Sequence, residues 1–275
     1  MTATATPTTD VLPAPATPLK RSKLMAAIGD AKVVTKRNLI AYVRIPEALF
    51  FSTVQPVMFV LLFTYVFGGA IATPGMAYVD YLMPGIFVQT VMFGAVSTSI
   101  GLAEDLHKGL IERFRSLPMA RSAVLAGRTS ADTVRNVFVV IIITIVGYLV
   151  GFRVHTNFVA YLAAFGLLLL FAYALSWGFS IIGLSAPNSE TAQLMSFPIL
   201  FPLVFASTAF VPAATMPSWL QPFAEHQPVS VVVNATRALM EGGPTARWVI
   251  PALLWCAGLL VVLVPLAVRK YRHTT

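Results

Sequence analysis

Residues 137–150 read VFVVIIITIVGYLV, an apolar run whose only side-chain polar atoms are the hydroxyls of Thr144 and Tyr148. A half-buried strand alternates apolar and polar residues, and a strand of a membrane barrel does so over about 10 residues. This run does not alternate. A helix crossing a bilayer needs about 20 predominantly apolar residues in sequence, and the run satisfies that when extended over 133–151. Five further stretches have the same character, over 48–68, 81–103, 158–184, 191–211 and 248–268. The chain is 57% hydrophobic and 11% charged, where soluble domains carry roughly 25% charged residues. The predicted fold class is therefore an all-α integral membrane protein with six transmembrane helices.

The charge agrees with that reading once its distribution is followed. Nineteen Lys and Arg stand against 11 Asp and Glu, a balance that by itself suggests a nucleic-acid partner. Seven of the basic residues precede the first expected span, six lie between Lys108 and Arg135, and three follow the last span as Arg269, Lys270 and Arg272. Only Arg153, Arg237 and Arg247 fall in the intervening connections on the other side. An excess of Lys and Arg on one side marks the cytoplasmic face. Both termini are thus expected in the cytoplasm, the chain is expected to be multi-pass, and no nucleic acid is needed to explain the charge.

The first 19 residues are Thr, Ala and Pro-rich and are expected to form a disordered cytoplasmic tail rather than a cleavable signal peptide. Residues 20–275 are then expected to form a single transmembrane domain. Its opening segment, 20–46, mixes apolar and basic residues at helical spacing. Leu24, Ile28, Leu39, Ile40 and Val43 are placed to meet lipid, and Lys32, Lys36 and Arg37 to meet anionic headgroups. An amphipathic interfacial helix has that pattern, and Pro46 marks the bend into the membrane. Cys256 is the single cysteine, so no intrachain disulfide and no cysteine-based metal site forms.

The connection before the last span, PSWLQPFAEHQPVSVVVNATRALMEGGPTARW at 217–248, is too apolar for a solvated linker. Two short re-entrant helices dipping into the outer leaflet would bury Trp219, Phe223 and Val231 to Val233 while pairing their backbone groups internally. Such a segment would act as a lid.

On the basic side, residues 104–118 read EDLHKGLIERFRSLP. Leu106, Leu110 and Phe114 recur every four residues and share one helical face, while Glu104 precedes Lys108 by four, the favourable order for an intrahelical pair. A short amphipathic helix ending at Pro118 is expected. The run DLHKGLIERFRSLPMAR resembles the segment after the second span in permeases of type-two ABC exporters, in their daunorubicin-resistance branch. The matching positions are Asp105, Gly109, Glu112, Arg113, Arg115, Ser116 and Pro118. The six-span plan, the amphipathic entry and the sequences FAEHQPVS and MEGGP extend the resemblance over nearly the whole chain after the tail.

That resemblance implies a coupling helix docking on a separate ATP-binding subunit, with Glu104, Lys108 and Phe114 joining the matched residues in the contact. It implies two copies of that subunit, which carry ATP and Mg, and a second copy or paralogue of the permease. It also implies a bacterial cytoplasmic (inner) membrane and export of a hydrophobic or amphipathic, drug or lipid-like cargo. The chain itself contains no G-x-x-x-x-G-K-[ST] phosphate loop, so it is expected to be non-catalytic and to bind no cofactor.

Polar side chains within spans are costly unless paired. Gln55, Gln89, Ser97, Thr98, Ser180 and Ser196 are accordingly the candidates for a cargo path, although helix–helix hydrogen bonding accounts for the hydroxyls equally. No central charge is read in any span, which counts against ion-coupled transport. A secondary transporter or channel working without an ATPase is the alternative. Ser180 has no histidine at similar depth, which counts against an intramembrane serine protease. Glu225 beside His226 lacks a third ligand, so no metal site is expected.

Overall fold

The computed structural model describes residues 23–44, 46–71, 73, 75–110 and 121–274. Among them every regular element is helical. The order is α1 (Lys23–Arg44), α2 (Pro46–Leu61) running on into a π-helical turn (Leu62–Phe67), α3 (Tyr78–His107), α4 (Arg121–Val150) and α5 (Phe158–Gly183). Then come α6 (Ser189–Phe205), a 3-10 turn (Ala213–Thr215), α7 (Gln221–His226), α8 (Pro228–Glu241) and α9 (Thr245–His273). Four of these helices, α3, α4, α5 and α9, are long and apolar enough to cross a membrane, and Ser52–Phe67 forms a shorter apolar helix. The expected tail at 1–19 lies outside the described residues.

Helix α3 is the centre of the bundle. In its most apolar window 83% of the residues are buried, against 11% for α9, so α3 is wrapped by protein while α9 turns Ile250, Leu254, Val261 and Val262 outward. Lipid tails are as apolar as leucine, so helices in a membrane are held by close packing rather than by escape from water. Small residues on α3 and its neighbours provide that closeness. Gly85 lies against the backbone of Ala209, and Gly183 of α5 lies against the backbone of Ser99, where an added Cβ would come within 3.0 Å of the Ser99 Cα. Asparagine side chains cap two helices. Asn157 accepts from the Ala160 N–H at the start of α5 and Asn188 from the Thr191 N–H at the start of α6, both at 2.8 Å.

Three boundaries differ from the sequence expectation. Helix α4 starts at Arg121 rather than at 133, because residues rich in Ala, Leu and Arg favour helix and because this added length packs along α1, with Ala123, Leu125 and Ala131 buried. As a result Arg128, Asp132 and Arg135 sit in the first half of a long helix and are mostly buried, where the sequence reading left Arg128 and Asp132 in the connection before the span. Helix α6 stops at Phe205 rather than at 211. Finally, Glu104 and Asp105 belong to the last turn of α3 and do not open a separate helix. Lys108 caps α3, its N–H bonding to the Glu104 carbonyl at 3.0 Å, and Gly109 follows at φ +67, the left-handed conformation that ends helices and suits glycine.

Gly183→Ala should lower the apparent melting temperature of the detergent-solubilised chain, costing about 1–3 kcal/mol through overpacking against the Ser99 backbone. Gly258→Ala on α9, whose added Cβ meets nothing within 4 Å, is the matched control and should leave it unchanged.

Candidate functional site

At the basic end of the bundle, α1, α3 and α4 meet around two carboxylates. Asp132 of α4 has a side chain with no exposure. It accepts from the hydroxyl of Thr98 on α3 at 2.5 Å and from the hydroxyl of Tyr42 on α1, and the Arg128 guanidinium lies 3.7 Å away, one turn earlier on the same helix. Asp105, in the last turn of α3, pairs at 3.2 Å with both Arg37 of α1 and Arg128 of α4. Arg37 also donates to Asn38 at 2.8 Å, so it belongs to this network and not to a headgroup-facing surface. Burial, with the Asp132 carboxylate beside it, pushes the Tyr42 phenol up to about 12, which keeps it a hydrogen-bond donor.

The backbone was shaped to admit these side chains. Gly101 leaves room on α3 for the Arg128 guanidinium, and Gly127 on α4 lets the backbone of α1 come close at Ala31. The hydroxyl of Thr35 bridges the same gap to the Gly127 carbonyl at 3.1 Å. Exposed apolar residues of α1, including Met25, Ile28, Val33, Ile40 and Val43, face away from α4 and remain available to lipid. Helix α1 is thus a packed structural element of the bundle.

Further along the bundle a cavity of about 260 Å³ opens between α2, α3, α4 and α6. Gln55, Ser97, Asn136 and Gln193 give it polar walls, Phe197 and Phe201 give it apolar ones, and Arg135 closes one side. Arg135 is held by the Gly94 carbonyl at 2.7 Å and lies over the Tyr42 ring at 5.6 Å, so the cavity and the charge network share a wall.

At the opposite end, the stretch 206–211 leaves helical geometry and is surrounded by protein. Its backbone groups find side-chain partners. Gln227 donates to the carbonyls of Leu203 and Ala206 at 3.0 and 2.7 Å, Tyr81 to Thr208 and Tyr78 to Phe210 at 3.1 Å, and Ser230 accepts from the Thr208 N–H at 3.1 Å. Arg237 is buried over the Tyr81 ring and donates to the Tyr81 and Thr208 carbonyls. Irregular backbone inside a membrane bundle is tolerated when protein satisfies it in this way. Val232 in α8 is fully buried by protein, whereas Trp219 is 77% exposed.

The sequence candidates therefore separate. Glu104 and Lys108 form an exposed ion pair at 2.6 Å, Asp105 is in the buried network, and Gly109 ends α3. Glu112, Arg113, Phe114, Arg115, Ser116 and Pro118 lie outside the described residues. Gln55 and Ser97 line the cavity. Gln89 is buried with its Oε1 unpartnered, Thr98 faces Asp132, and Ser180 and Ser196 donate to carbonyls of their own helices, at Trp177 and Ala192. Asp132, Arg128, Tyr42 and Arg135 were missed by the sequence reading. The available signal was Arg128, Asp132 and Arg135 at helical spacings of four and three, placing all three near one helix face.

Tyr42→Phe removes one donor from a buried carboxylate and should cost about 1–3 kcal/mol. Asp132→Ala strips Arg128 of its closest buried partner along α4 and should cost about 3–5 kcal/mol. Both variants should speed tryptic cleavage of α1 at the exposed Lys32 and Lys36, followed by gel and mass spectrometry. Unchanged cleavage would show that the network does not hold α1.

Comparison with known proteins places this geometry. Residues 30–240 match the family model described as ABC-2 type transporter. The daunorubicin resistance ABC transporter permease protein DrrB1 of Streptomyces coeruleorubidus is 37% identical over 239 residues, covering 86% of this chain and 84% of the relative. The probable doxorubicin resistance permease DrrC of Mycobacterium tuberculosis is 26% identical over 250 residues, 90% of each chain. A putative transport permease, ycf38 of Cyanophora paradoxa, is 27% identical over 216 residues, 77% of this chain and 74% of the relative. A buried charge network under an amphipathic helix, a polar cavity in an apolar bundle and these matches together lead to one assignment: the chain belongs to the ABC-2 type transporter family, as a permease subunit.

Proposed function

We propose that the chain is the non-catalytic, membrane-spanning half of a drug or lipid-like exporter in a bacterial inner membrane. Six segments cross the bilayer, with α2 and its π-helical turn and α6 as the two shorter ones, and both termini are cytoplasmic. Two copies of a separate ABC ATP-binding subunit, which bind ATP and Mg, act on residues 104–118, and a second permease copy or paralogue completes the assembly. Helices α7 and α8 re-enter the membrane from outside. The names of the relatives, daunorubicin and doxorubicin resistance permeases, support a hydrophobic or amphipathic cargo.

The observation that carries the coupling role is the position of Asp105. The first residue of the matched motif is clamped between Arg37 and Arg128, and Arg128 leads to Asp132, Tyr42 and Thr98. A push delivered just beyond α3 would therefore move α1, α3 and α4 together and reshape the cavity that α3 and α4 line. Buried, paired charges transmit such displacement because separating them leaves an uncompensated charge.

Two experiments test the reading. Glu112→Ala and Arg115→Ala should each abolish ATP-dependent uptake of an amphipathic fluorescent drug into inverted vesicles, in which export runs inward, and weaken co-purification of the ATP-binding subunit. Uptake that survives both changes, or that runs in vesicles without ATP, would overturn coupling through this segment. Gln55→Leu and Ser97→Ala should reduce efflux severalfold while leaving the ATP-binding subunit attached, since they alter only the cavity wall. Unaltered drug transport in both would remove the cavity from the path.

A further inference from the structure

Opposite the basic end, three residues from distant parts of the chain converge. Asp80 stands in the first turn of α3, His155 in the connection between α4 and α5, and Glu241 at the last position of α8. One ligand atom from each lies within 4.8 Å of the other two. The connection is tied to both helices by its own hydrogen bonds. The Arg153 N–H donates to Asp80 Oδ1 at 3.0 Å, the His155 N–H to the Met240 carbonyl at 2.9 Å, and the Thr156 hydroxyl to the Leu239 carbonyl at 2.6 Å. The three side chains are therefore held together by backbone that is already fixed.

The hydrogen-bonding capacity of this cluster is only partly used. The Glu241 side chain is only 6% exposed. Its Oε2 meets His155 Nδ1 at 2.7 Å, but its Oε1, on the same carboxyl group, is buried with no hydrogen-bond partner. Among the described residues no Lys or Arg lies in ion-pair distance of either Asp80 or Glu241. The nearby Arg153 side chain turns instead to the Tyr148 and Phe152 carbonyls, and Arg237, whose charge is felt at Glu241, gives its hydrogen bonds to Tyr81, Thr208 and Asn234. Two carboxyl groups and one imidazole are a donor set that a divalent cation takes.

We propose that Asp80, His155 and Glu241 form a binding site for a divalent transition-metal cation of the zinc class, which fastens α8 to α3 and to the α4–α5 connection. Imidazole and carboxylate oxygens are the donors such an ion takes, with water in the fourth position. Ligand atoms around tetrahedral zinc stand about 3.3 Å apart, given bonds of about 2.0–2.1 Å, so the three side chains would draw closer together around the ion. His155, with a side chain 54% exposed, provides the entry. The ion would lock the helix that supports the irregular 206–211 stretch through Gln227, Ser230 and Arg237, so it would set how firmly that end of the permease is closed.

The test uses the full-length chain, with any histidine tag removed, stripped with EDTA in detergent. Zinc chloride should bind at one ion per chain by equilibrium dialysis and raise the apparent melting temperature, and magnesium chloride should do neither. Asp80→Asn and Glu241→Gln preserve shape and should each weaken zinc binding at least about tenfold, since even outer-shell changes at metal sites cost that much. His155→Ala should do the same. A wild-type chain that binds no zinc, or variants that bind it as tightly as the wild type, would overturn the site. A stabilisation by magnesium equal to that by zinc would also overturn it, because it would report general charge screening.

Discussion

A carboxylate with no exposure, Asp132, sits where three helices meet, and the basic half of the bundle is arranged around it. It cannot reach water, so its charge must be met inside the protein, and it is met from each of the three helices: by Tyr42 from α1, by Thr98 from α3, and by Arg128 from its own helix α4. Arg128 carries the obligation onward to Asp105, and Asp105 to Arg37. In lipid the hydrophobic effect does not drive helices together, so close packing at small residues and polar groups that must stay paired select the arrangement.

The same principle governs the opposite end in a different form. There the chain abandons helix after Phe205, and the freed carbonyls of Leu203, Ala206 and Thr208 are taken up by Gln227 and Arg237. Helix α8 is therefore less a loop over the bundle than the source of the donors that the broken end of α6 requires. An unsatisfied carbonyl in a water-poor environment costs several kcal/mol, so α8 and the 206–211 stretch are bound to form together. The two ends thus frame the cavity between α2, α3, α4 and α6, one with buried ion pairs and the other with side chains bonded to backbone.

For a permease of the ABC-2 type, this construction separates rigidity from movement. The segment that carries the matched motif leaves α3 through Gly109, whose left-handed backbone sets the exit direction, while Asp105 stays locked one turn earlier. Helix α1 lies along α4 and is joined to α3 through the Arg37–Asp105 pair, so the three helices are bound to one another at this end. The cavity borders Arg135, whose guanidinium is tied to the Gly94 carbonyl of α3, so the contact that joins α3 to α4 forms part of its wall.

Much of this was legible from composition and pattern. Continuous apolar runs define helices because a bilayer offers no partners to the backbone, and that signal is local. The Asp-x-x-x-Gly run beginning at Asp105 likewise identified the family by its residues alone. Where the run-length signal stopped short was at α4, whose first turns contain charges and so read as a polar connection, although one helix face buries them. The sequence by itself determined an all-helical membrane chain with a basic side and a motif-bearing segment. Only the tertiary structure decided that Tyr42, Thr98 and Asp132 meet, that Gln55 and Ser97 share a cavity while Thr98 turns away, and that Asp80, His155 and Glu241 stand together. Those pairings join residues far apart in the chain, and what specifies them is the demand of buried polar groups for partners, which no single segment can satisfy alone.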